Sequence, residues 1–263
     1  MNLFRIWVIA HNVFRETLRD RVPYMVILYG LVMGGASLLL PQIANQAEGK
    51  IILDLGLGSL NFLGLIVAIF LSTNLINKEI EKRTVFVLIA KPMSRLEFII
   101  GKHLGLSALL WVLTVMMTVL FLMAAFLQPS RALAADPIPV NALLVAIGFI
   151  FLEFVLMVAA GLLFGVFTSS ILATLFTIAL YLLGHFSPSL IRLSTLAEDK
   201  VLSTVFEAVY VILPNLERLN LKNEAVYAQL PAFSDLLTRG GYGLTYTLLL
   251  LTVTIIVFSR RQF

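Results

Sequence analysis

NALLVAIGFIFLEFVLMVAAGLLFGVF, residues 141–167, holds one ionisable side chain, Glu153, in an otherwise unbroken run of apolar and small residues. The hydrocarbon core of a bilayer is about 30 Å thick and takes about 20 such residues as a helix. Strands of a membrane barrel alternate in polarity, which this run does not. Backbone groups cannot stand unpaired in hydrocarbon, so the run reads as a spanning helix. Working outward, similar runs fall at 24–45, 57–76, 103–127, 171–191 and 243–258, the last being the shortest, with a start that could lie as early as Arg239. The chain therefore reads as an all-α integral membrane protein with six transmembrane helices.

Composition agrees. Of the residues, 60% are hydrophobic and 13% charged, against roughly 45–50% and 25% in soluble domains. With no cysteine, disulfides, thiolate metal sites and thiol nucleophiles are excluded. His11, His103 and His185 stand far apart with no H-x-x-x-H spacing, so each reads as a lone polar residue and no metal site is expected.

The net charge of +4 is unevenly placed. On the six-span reading one side carries twelve Lys and Arg against five acids, and the other seven against nine acids. Short basic loops stay in the cytoplasm. Both termini are thus expected inside, and residues 192–238 outside. The basic residues flank span ends and their loops lack stacking aromatics, so nucleic acid is not an expected partner. The first span has too long an apolar run for a signal peptide and reads as an uncleaved anchor.

Residues 1–22 form an N-terminal appendage to a single membrane domain, 23–263. Plotted at 100° per residue, Leu3, Ile6, Trp7, Ala10, Val13, Phe14 and Leu18 share an arc, with Arg5, Asn12, Arg15, Glu16 and Arg19 opposite. A basic face with Trp and Phe opposed to it marks an amphipathic helix lying in the membrane interface. Within 192–238, the stretch 201–213 is apolar but short and interrupted by Glu207, so it reads as re-entrant or interfacial.

The inner loop, 77–102, is more elaborate than a connection needs. Pro92 ends one helical stretch and Ser94-Arg95-Leu96-Glu97 is a capping box opening another. A plain link between helices takes 2–8 residues, so a folded inner loop reads as a docking surface. Glu153 is the one mid-span charge. At about 3 kcal/mol for an ionised carboxylate at bilayer centre, it is expected to face other helices or a water-filled cavity. Gly30/Gly34, Gly101/Gly105 and Gly161/Gly165 form G-x-x-x-G pairs that allow close helix approach. No phosphate-binding loop occurs, since Gly49-Lys50 is followed by Ile51 and Gly101-Lys102 by His103. Neither H-E-x-x-H nor G-x-S-x-G is present, so the chain is not expected to be an enzyme.

Three segments resemble the type-2 permeases of ATP-binding-cassette (ABC) transporters in their compact six-span form. These are Val13 through Leu18-Arg19-Asp20-Arg21; Lys78-Glu79-Ile80-Glu81-Lys82-Arg83-Thr84 with Leu88 through Lys91-Pro92-Met93-Ser94-Arg95-Leu96-Glu97-Phe98 and Gly101-Lys102; and Pro214-Asn215-Leu216. The resemblance implies that the inner loop, with Lys91, Pro92, Met93, Ser94, Arg95 and Glu97, is a cytoplasmic coupling helix pressed into a cleft of a separate ATPase subunit. It implies two ATPase copies holding ATP and Mg, and a second permease chain in a homo- or heterodimer. No cofactor is then expected in this chain, which would act as an exporter in the plasma or inner membrane. Glu153 favours a rival reading, a secondary ion- or proton-coupled transporter, and a non-transporting scaffold or assembly factor is a third.

Overall fold

The computed structural model describes residues 2–20, 22–43, 48–81, 94–127, 138–196 and 199–260. Apolar runs without polar interruption leave the backbone no partner but itself, and the described residues are mostly helical. In chain order they are α1 (Leu3–Leu18), α2 (Tyr24–Ile43), α3 (Glu48–Glu81), α4 (Arg95–Leu127), α5 (Val140–Phe167), α6 (Ser170–Leu196) and α7 (Lys200–Ile212). A 3-10 turn (Leu216–Leu219), α8 (Lys222–Val226) and α9 (Phe233–Arg260) complete the set. Among the described residues five helices are long and apolar enough to cross a membrane, and Tyr24–Leu40 is a shorter apolar helix.

Side-chain pairings fix the directions. Gly64 meets Phe154 and Gly161 meets Ser72, so α3 and α5 run parallel, and Gly240 and Gly243 against Phe149 and Leu152 make α9 parallel to α5. Thr73 bonds Thr174 and Asn74 bonds Ser170, so α6 runs opposite to α3. Helix α5 is the axis of the bundle, touching α3, α4, α6 and α9. Of the most apolar stretch of α3 and of α5, 61% is buried, against 22% for α6, which lies at the edge.

Two helices outgrow a bilayer. At 1.5 Å per residue, the 34 residues of α3 and the 33 of α4 each rise about 50 Å, beyond the roughly 30 Å of hydrocarbon. The first turns of α4 are covered by α1, which runs parallel to it. Gly101 and Gly105 face this helix: a Cβ at Gly105 would stand 2.6 Å from the Ala10 carbonyl oxygen, and one at Gly101 2.8 Å from Ile9 Cβ. That G-x-x-x-G pair therefore seats the N-terminal helix, whereas Gly161 seats Ser72 of α3.

The end of the bundle opposite the termini is closed by the segment between α6 and α9. Helix α7, capped by Asp199 accepting from the Val201 N–H at 2.8 Å, packs on α6 and buries none of its residues. The part of this segment that enters the bundle is the following stretch, where Leu216, Leu219, Leu221 and Ala225 are fully buried. Leu216 and Pro214 press on Gly184, where a Cβ would meet Leu216 Cγ at 2.8 Å and the Pro214 carbonyl oxygen at 2.9 Å. Asn215 N–H donates to the Tyr242 hydroxyl at 2.7 Å. Helix α9 begins at Phe233, well before Gly243, its early polar turn held by the Asp235–Arg239 pair at 2.9 Å.

Candidate functional site

The capping box at the start of α4 forms as its sequence dictates. Glu97 N–H donates to Ser94 Oγ at 3.2 Å, and Ser94 N–H donates to Glu97 Oε2 at 3.2 Å. The carboxylate does more than close the box. Its Oε1 accepts from Asn2 N–H at 2.7 Å, and Arg5 Nη1 lies 3.9 Å from Oε2. Asn2 in turn caps α1, its side chain accepting from Phe4 N–H at 3.1 Å. A single carboxylate thus satisfies orphan N–H groups at the starts of two helices.

Two residues before Glu97, Arg95 reaches the last turn of α9. Its Nη1 donates to the carbonyl oxygen of Phe258 at 3.1 Å and to that of Ser259. These carbonyls belong to the last turn of α9, where intrahelical partners run out and a cation is favoured by the helix dipole. Beside them the rings of Phe98 and Phe258 stack, centroids 5.6 Å apart at 16°. Lys102 Nζ, one turn further along α4, sits 4.9 Å from the centroid of the Phe98 ring. Three helix ends are therefore tied at one place, directly after residues 82–93.

Of the residues singled out from the inner loop, Ser94, Arg95 and Glu97 belong to this cluster. Lys91, Pro92 and Met93 lie outside the described residues. Arg95 turns toward the last helix of its own chain, a contact that charge and position in the sequence did not reveal. Asn2 and Arg5 were also missed, for the polar face of an amphipathic helix does not announce which of its members meets a carboxylate.

Within α1 the apolar arc divides. Ile6, Ala10, Val13 and Thr17 are buried, Phe14 is half-buried, and Leu3, Phe4 and Trp7 are exposed. Arg15 and Arg19 are exposed as well. One stripe therefore packs on α4 and a second, headed by Trp7, is left free.

Glu153 lies at the middle of the central helix with 1% of its surface exposed. Its Oε1 is 2.9 Å from His185 Nε2 on α6, and His185 Nδ1 is 3.2 Å from Glu217 Oε2 on the 3-10 turn. His185 is thus no lone polar residue, a correction to its sequence reading. The bond spans neighbouring helices, and no spacing rule predicts it. His103 donates its Nε2 proton to the Val155 carbonyl at 3.1 Å, which ties α4 to α5 two residues beyond Glu153. Among the described residues no group of three or more His, Asp or Glu is placed to hold a metal ion.

A family model described as ABC-2 family transporter protein matches residues 7–263. No curated protein matches the chain. The match takes in Ser94, Arg95 and Glu97, the central Glu153 helix and the segment that closes the opposite end, while Asn2 and Arg5 precede it. This membrane protein belongs to the ABC-2 family of transporter proteins.

Proposed function

We infer that the chain is the permease of an ABC exporter of the plasma or inner membrane, moved by a separate ATPase subunit that grips residues 82–93. Membership of the family supports the permease reading. The observation that carries the mechanical part is the shared carboxylate of Glu97, which joins the starts of α1 and α4 beside the Arg95 contact to the end of α9. A force on the segment just before Ser94 then acts on three helices at once, since each is tied to the same turn. Loose loops would dissipate such a force, and a capped helix start transmits it.

On this reading ATP and Mg are held by two ATPase subunits, and two permease chains, identical or different, form the path. With six spans and the basic loops inside, both termini and the Glu97 cluster face the cytoplasm and the 3-10 turn faces outside on this reading. The exposed stripe of α1, headed by Trp7, lies at the lipid headgroups with the exposed Arg15 and Arg19 further along the helix.

The test separates docking from tethering. Lys91→Ala should weaken capture of the co-purifying ATPase and lower substrate-stimulated ATP hydrolysis, because a desolvated interfacial charge counts for more than an exposed one. Arg95→Ala should leave capture intact and lower stimulation alone, because Arg95 is engaged by α9. Lys222→Ala, at the opposite end, should change neither. Full capture and full turnover in the Lys91 and Arg95 variants together would remove the inference.

A further inference from the structure

Three groups in a row connect the middle of the bundle to the end that α8 and the 3-10 turn close. Side-chain exposure rises along the row, from 1% at Glu153 through 18% at His185 to 49% at Glu217. Glu217 is held by Asn220, whose Nδ2 donates to Oε1 at 3.1 Å and to Oε2 at 3.3 Å. It also lines an open cleft of about 510 Å³, together with Arg218, Glu224, Asp235 and Arg239.

The hydrogen count at His185 decides what the row can be. Both ring nitrogens face carboxylate oxygens, at 2.9 and 3.2 Å. A neutral imidazole has one N–H, and an ionised carboxylate only accepts. With the ring neutral and both acids ionised, one of the two contacts would set a nitrogen lone pair against an oxygen lone pair. Close approach on both sides needs one more proton, on the ring or on a carboxyl.

The other charged groups do not supply a substitute. Lys222 on α8 acts on the ring as a like charge to an imidazolium. Tyr181, one turn back on α6, lies edge-on with its centroid 4.6 Å from the imidazole, and the uncharged Asn61 of α3 stands beside that tyrosine. From α9, Asp235 and Arg239 pair with each other at 2.9 Å. The two facing acids, Glu153 from α5 and Glu217 from the 3-10 turn, remain the partners of the ring.

We propose that Glu153, His185 and Glu217 form a proton-binding site, loaded from the cleft, that fastens α5, α6 and the 3-10 turn together. The ligand is a proton from the aqueous phase at that end of the bundle. Glu217 meets it first, His185 passes it inward by accepting on one nitrogen and donating from the other, and Glu153 is the buried terminus. Loss of the proton leaves two carboxylates around a neutral ring and loosens the joint. The site is independent of the permease reading, since it needs neither an ATPase nor a substrate.

The experiment uses the full chain in lipid nanodiscs at pH 8, where a free imidazole with a pKa of about 6.5 is neutral. Nitrogen-15 labelling of the three histidines, assigned with His11→Gln and His103→Gln, reports which ring nitrogens carry hydrogen. Infrared difference spectra report any protonated carboxyl. The expected result is an extra proton at pH 8: two N–H groups on His185, or a carboxyl band that Glu153→Gln or Glu217→Gln abolishes. In Glu217→Gln, an exposed change, the extra proton should be lost, leaving one N–H on the ring and no carboxyl band. A His185 ring with a single N–H beside two ionised carboxylates at pH 8 would overturn the proposal. So would a doubly protonated ring that persists unchanged in both glutamine variants.

Discussion

Gly105→Ala tests whether α1 is part of the machine or merely attached to it. The added Cβ would stand 2.6 Å from the Ala10 carbonyl oxygen and 3.1 Å from Ala10 Cα, while ordinary contacts begin at 3.4 Å. The clash is with backbone, so no rotamer change relieves it, and α1 must back away by about 0.8 Å, the difference between 3.4 and 2.6 Å. A gap of 0.5–1 Å already forfeits a quarter to a half of the dispersion attraction across a contact. Loss along the whole buried stripe of Ile6, Ala10, Val13 and Thr17 amounts to an overpacking penalty of about 1–3 kcal/mol. This holds whether α1 would otherwise rest in water or in lipid, because the cost is steric. The chain has no cysteine, so an Ile6→Cys probe, at a site 5% exposed, gives a clean reading. Its labelling by N-ethylmaleimide should rise about 5–150-fold in the Gly105→Ala background. Gly148→Ala, where nothing lies within 4 Å of the new Cβ, is the control. Labelling within twofold of that control would mean that α1 is not seated on the glycine pair.

The capping box makes a local prediction. Ser94→Ala removes the acceptor of the Glu97 N–H and should cost about 1 kcal/mol, speeding exchange of that amide about fivefold, whereas Ser94→Gly should cost a few tenths; equal effects of the two would contradict a cap. Topology is checked with single cysteines: one at Glu224 should react with an impermeant reagent on intact cells and one at Ser94 only after permeabilisation, and the reverse pattern would invert the assigned orientation.

The spans were legible because membrane helices are written locally: a run such as residues 141–167 needs no partner to be recognised. The Ser94/Glu97 box was legible for the same reason, its two members lying three residues apart. What could not be read were pairings between distant positions. Glu97 meets Asn2 across 95 residues and Arg95 meets Phe258 across 163, and no propensity or period encodes such a choice. Burial of Glu153 followed from the cost of a charge in hydrocarbon, yet the partner on α6 did not. The glycine pairs show the same limit. Their spacing announces a groove, but whether α1 or another span fills it depends on where α4 outgrows the bilayer. The early start of α9 was hidden by its polar first turn, which an (i, i+4) ion pair sustains without apolar residues.

The polar residues left inside the bundle divide by how they are satisfied, and the division bears on what can move. Thr118, Thr177, Thr247 and Thr254 each donate to the carbonyl four residues back in their own helix. Such hydroxyls ask nothing of a neighbour, so they leave a helix face free to slide. Other ties cross between helices among the described residues. Tyr29 of α2 donates to the Gly56 carbonyl, Thr73 and Asn74 hold α3 to α6, Glu153 and His185 hold α5 to α6, and His103 holds α4 to α5. Helices α5 and α6 are thus tied near their middles and α3 is tied to the first turn of α6, while α1, α4 and α9 are tied at one end through Glu97 and Arg95. Between these two groups the His103 bond to the Val155 carbonyl is a link close to Glu153. The two helices also meet through the Trp111 and Phe151 rings, 5.0 Å apart. Apolar contacts resist separation but are nearly indifferent to small shear, whereas a hydrogen bond to a backbone carbonyl is lost within an ångström or so. A pull on the Ser94 to Glu97 turn is therefore met by a fixed point at His103, two residues from the level of the buried carboxylate.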